Sequence, residues 1–77
     1  MMNIKDALIC GYYDEDVEKN YIVEVDVNKL KKWFEQEELD LLDFETNMTK
    51  RLIVYDILKE NFTKDLTEYE NFTIKFY

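Results

Sequence analysis

The sequence predicts a small α+β domain of order ββααβ: a three-stranded, mainly antiparallel sheet with two helices packed on one face. Three observations predict it. Residues 21–27 and 72–77 alternate along the chain with the two-residue period of a half-buried strand. Residues 30–34 and 52–62 place apolar side chains at the three- and four-residue spacing of helices. A length of 77 residues, 47% of them hydrophobic and 16% aromatic, suits a single folded core rather than a disordered chain. Residues 1–77 therefore read as one acidic domain without linker or repeat.

Each element follows from local chemistry. Residues 7–13 are apolar on both faces and read as a first strand, with Cys10 as a small core residue inside it. Residues 14–20 are polar and turn-like, which favours a hairpin. In the second strand Tyr21, Val23, Val25 and Val27 share one face, and Glu24 and Asp26 the other. Asn28 is an N-cap type at the next boundary. Leu30, Trp33 and Phe34 then form one helical face, and the helix ends near Glu38 or continues with a rotated face. Thr46, Asn47 or Thr49 is a cap for a second helix reaching about Asn61, with Leu52, Tyr55, Leu58 and Phe62 on one side and Ile53, Val54 and Ile57 widening the stripe. The pattern leaves residues 39–47 and 63–70 open between helix and loop. The last strand must pair, because a lone strand leaves its backbone groups unsatisfied; its position in the sheet is not legible.

Charge is the strongest functional signal. Residues 1–45 hold thirteen acids against five lysines, whereas residues 46–77 hold five of each sign, so the whole net charge of −8 falls in the first part. One cluster is Asp14, Glu15, Asp16 and Glu18. The other is Glu35, Glu37, Glu38, Asp40, Asp43 and Glu45. Lys29, Lys31 and Lys32 precede Glu35, Glu37 and Glu38 along the first helix, opposite to the order the helix dipole favours. Pairs such as Lys31–Glu35 offset part of that cost. Excess charge of one sign opposes compaction by self-repulsion but steers a partner of the other sign.

Other chemistries find little support. Without histidine the usual neutral-pH general base is missing, and no two carboxylates stand out as an acid/base pair. The chain is not expected to be an enzyme. One cysteine forms no internal disulfide, and there is no His/Cys set for zinc. The loop of Asp14, Glu15, Asp16 and Glu18 lacks the glycine of a calcium-binding turn, so neither metal nor cofactor is expected. Direct nucleic-acid binding conflicts with the charge. Lys5 and Asp6 precede a short apolar stretch without a cleavage pattern, and no run is long enough to span a membrane, so a cytoplasmic protein is expected.

The ten clustered acids are therefore the expected partner-binding residues, aimed at the basic surface of a nucleic-acid-binding protein. Tyr12, Tyr13, Tyr21 and Trp33, where exposed, are candidate anchors. In size and composition the chain resembles the broad group of small acidic phage or mobile-element proteins that inhibit host nucleic-acid enzymes, DNA mimics and anti-CRISPR proteins among them. That resemblance implies a viral inhibitor acting in the host cytoplasm, and no residue motif carries it. The alternative is a regulatory or structural module that self-associates through a sheet edge or the apolar face around Ile53, Val54 and Ile57, with a homodimer as its form.

Overall fold

The computed structural model describes residues 1–62 and 71–77. A short 3-10 turn, Ile4–Ala7, leads into β1 (Leu8–Tyr13), β2 (Asn20–Val25), α1 (Val27–Gln36), α2 (Met48–Phe62) and β3 (Asn71–Phe76). The expected ββααβ order and three-stranded sheet are present. The open segment 39–47 is a series of turns, whereas 63–70 lies outside the described residues.

The strand order is β1-β2-β3, with β2 in the middle. β1 and β2 form the antiparallel hairpin, Tyr13 opposite Tyr21 and Leu8 opposite Val25. β3 runs parallel to β2, with Tyr21 opposite Phe72, Val23 opposite Ile74 and Val25 opposite Phe76. A parallel pair needs a crossover connection of roughly a dozen residues or more. The two helices between β2 and β3 supply it, so the sheet is mixed.

One face of the sheet carries the core. Val23 and Val25 meet Leu30 and Phe34 from α1 and Val54 and Leu58 from α2, joined by Ile4 and Ala7 from the N-terminal turn. Leu41 and Phe44, which fit no helical stripe, are buried anchors of the inter-helix turns. The Phe44 ring lies edge-on to Phe34 at 6.0 Å and 5.2 Å from Phe76, tying that segment to α1 and β3. Val54 is fully buried and Ile57 packs on the core, so of the proposed self-association face around α2 only Ile53 stays exposed, beside Leu52 and Met48.

Two local expectations are corrected and one choice is settled. Asp26, not Asn28, caps α1: its Oδ1 accepts the Lys29 amide at 3.1 Å. The ladder decides the boundary, because Tyr77 bonds both Val25 and Val27 through its backbone and holds the chain extended up to Asp26. Asn47 serves α2, accepting the Lys50 amide at 3.2 Å. Cys10 is exposed rather than core, as is every residue of β1. β1 is an edge strand with an irregularity between Leu8 and Cys10. On its core-facing side Gly11 leaves room for the Tyr21 ring: a Cβ there would lie 2.5 Å from the Tyr21 hydroxyl oxygen.

Helix α1 stops at Gln36 by a left-handed C-terminal cap. Glu38 adopts φ 58°, the Leu39 amide donates to Phe34 O at 2.9 Å and the Glu38 amide to Glu35 O at 3.1 Å. This is a Schellman closure, which normally places glycine at the left-handed position. The chain turns without glycine, and the next apolar residue, Leu39, is carried back against the core.

Candidate protein-interaction surface

The acidic hairpin is organised by one of its own carboxylates. Asp14 Oδ1 accepts the amides of Asp16 at 2.8 Å and Val17 at 3.3 Å, and Oδ2 accepts the Asn20 side-chain amide at 3.1 Å. The Asp16 amide bond, then Asn20, holds the Asp14 carboxyl below its ordinary pKa. Asp14 therefore shapes the loop. Glu15, Asp16 and Glu18 stand exposed around it, and their side chains make no ion pair among the described residues.

The second cluster divides in the same way. Glu45 bonds Lys31 at 2.6 Å, so Lys31 serves the turn after the helix and not Glu35. Lys50 holds Asp43 at 2.7 Å and Asp40 at 3.4 Å. Its hydrogen bond lowers the Asp43 pKa, while Asp43 raises that of Lys50. Exposed pairs of this kind contribute little individually. They do, however, occupy three of the six carboxylates. Glu35, Glu37 and Glu38, around the end of α1, are exposed and make no ion pair among the described residues.

The two clusters lie at opposite ends of the sheet. The hairpin loop lies at the Tyr13–Tyr21 end of the sheet. The end of α1 lies at the other: Gln36 exchanges two hydrogen bonds of 2.8 Å with the Met2 backbone, beside the turn that enters β1 opposite Val25. Phe44 on Phe76 fixes the rest of the segment at that same end. A six-residue strand separates the clusters by roughly 20 Å.

On the sheet face that no described helix covers, Glu24 of the middle strand is a central residue. Its carboxylate accepts the Cys10 thiol at 3.3 Å. That bond, followed by the Tyr12 hydroxyl and, more weakly, Tyr77 and Lys75, lowers the Glu24 pKa. Desolvation and then the Glu24 bond raise the Cys10 pKa, the opposite direction from the lowering that activates a nucleophilic thiol. Period-two alternation places Glu24 on this face in the sequence; its strand partner Cys10 emerges only from the register. No group of three or more metal-ligating side chains occurs among the described residues.

Where this face meets the hairpin there is a cleft of about 470 Å³. Tyr12, Tyr13 and Ile22 line it together with Asp14, Glu15, Asp16 and Lys75. Of the candidate anchors, Tyr12 is 38% and Tyr13 54% exposed, whereas Tyr21 and Trp33 pack against the core. No helix among the described residues is long and apolar enough to cross a membrane. Comparison with protein-family models, curated proteins and solved structures finds no match.

Proposed function

We propose that this protein is a small acidic binding protein that inhibits a nucleic-acid-binding protein or nuclease by occupying its basic surface, in the manner of DNA mimics and anti-CRISPR inhibitors. The observation that carries this reading is the separation of the acids into two kinds. Asp14, Asp40, Asp43 and Glu45 are engaged within the fold, while Glu15, Asp16, Glu18, Glu35, Glu37 and Glu38 are exposed and make no ion pair among the described residues. Six exposed like charges on a chain of net charge −8 oppose folding and favour association with a basic partner. Two carboxylate groups at opposite ends of a sheet suit a partner with two basic patches about a strand length apart.

The test is capture of host proteins by the wild type and by a charge-depleted variant carrying Glu15→Gln, Asp16→Asn, Glu18→Gln, Glu37→Gln and Glu38→Gln, at low and high salt. Nucleic-acid-binding proteins are expected with the wild type at low salt and lost in the other conditions, since attraction between exposed charges is screened beyond about 8–10 Å at ordinary ionic strength. Equal capture by the variant overturns the reading.

A further inference from the structure

We propose that β1 is a docking edge, along which an extended basic segment of the partner adds as a fourth strand and inserts a cationic side chain into the cleft below the hairpin. This rests on the reading that the partner is basic. β1 occupies the outer position of the sheet and is exposed throughout. Its six residues, Leu8–Tyr13, include no charge and no proline, two of the devices by which edge strands resist pairing, and the irregularity between Leu8 and Cys10 leaves Gly11, Tyr12 and Tyr13 in regular register. In an antiparallel ladder alternate residues turn their amide and carbonyl away from the partner strand. With the Asp14 amide bonded to Asn20 O, Gly11 is one that turns them outward.

Strand addition draws affinity from main-chain hydrogen bonds and specificity from pockets that receive alternate side chains. The cleft is such a pocket. Tyr12, Tyr13 and Ile22 offer apolar surface to the stem of a long side chain, and Asp14, Glu15 and Asp16 offer opposite charge to its guanidinium or ammonium group. Lys75, also on the lining, disfavours a bare metal ion held deep in the cleft, whereas the charge of a long side chain can rest at the acids of the hairpin. Charge also selects the occupant. A second copy brings its own −8, whereas a strand bearing Arg or Lys neutralises the acids flanking β1.

The probe is a synthetic peptide of alternating Arg and Val, compared with the same peptide N-methylated on alternate backbone amides, which keeps the charge and removes strand pairing. Amide exchange and chemical shifts of the full chain are read on titration. The unmodified peptide is expected to slow exchange at Gly11 by about tenfold or more, equivalent to about 1.4 kcal/mol, and to shift Tyr12 and Tyr13; the methylated one is expected to do neither. The variant Ile9→Glu with Tyr12→Ser, which alters the edge and cleft but adds no positive charge, is expected to lose the Gly11 protection while its β2 amides stay protected. Equal binding of both peptides overturns the docking edge and leaves the basic-partner reading standing. Absence of binding by either at low salt overturns both. Protection of Gly11 that rises with protein concentration alone overturns the proposed occupant in favour of a second copy.

Discussion

Lys50 Nζ lies 2.7 Å from Asp43 Oδ1, which makes Asp43 a fastening between the inter-helix turns and the first turn of α2. The acids of this chain therefore divide by task, and substitution separates them. Asp43→Asn is expected to lower the thermal midpoint and leave partner binding unchanged. Glu37→Gln combined with Glu38→Gln is expected to weaken binding and to leave the midpoint level or raise it by relieving repulsion near the end of α1. Thermal melts and binding isotherms on the two variants check the division; binding lost in Asp43→Asn at an unchanged midpoint contradicts it.

The acid limb of the stability curve follows from the same contacts. Asp14, Glu24 and Asp43 have folded-state pKa values below their ordinary ones. A depressed carboxylate contributes stability that is present above its unfolded pKa and lost as pH falls through that value toward the folded one. The gap in urea midpoint between the wild type and Asp14→Asn is thus expected to be open at pH 7 and to close below about pH 4. A gap that does not change with pH contradicts the role given to the Asp14 charge.

Gly11 is demanded by Tyr21, because an added Cβ falls 2.5 Å from the Tyr21 hydroxyl and 3.0 Å from the ring carbon bearing it. Gly11→Ala is expected to destabilise the hairpin by about 1–3 kcal/mol, the usual range for overpacking. Adding Tyr21→Phe removes the closest atom and is expected to recover part of that loss. A double-mutant cycle in urea measures the coupling, and strictly additive effects contradict the close approach.

Glu38 holds a left-handed conformation that a glycine adopts without steric cost. Glu38→Gly is expected to stabilise the fold by about 0.5–1 kcal/mol, and Glu38→Ala, which removes the same charge but keeps a Cβ, by less. Chemical denaturation of the pair separates backbone strain from charge.

The alternation at Tyr21, Val23 and Val25 made β2 and its buried face legible in the sequence, and the spacing of Leu30 and Phe34 did the same for α1. The cap was less so, since Asp26 and Asn28 are both capping types and only the pairing of Tyr77 with Val25 and Val27 chooses between them. β1 misled because its composition suits burial, while its exposure follows from the strand order and from the Tyr21 ring over Gly11. The acids were legible as clusters. Their division into fastening and exposed residues depends on Lys31 and Lys50, which reach carboxylates fourteen and seven residues away, beyond any local pattern.

The central claim is occupation of a nucleic-acid-binding surface, and competition tests it most directly. With a captured partner and a labelled nucleic acid that it binds, the apparent dissociation constant for the nucleic acid is measured at increasing concentrations of this protein. The account predicts a linear rise, abolished in the charge-depleted variant. A ternary complex in which both are bound together, with the dissociation constant unchanged, would contradict it.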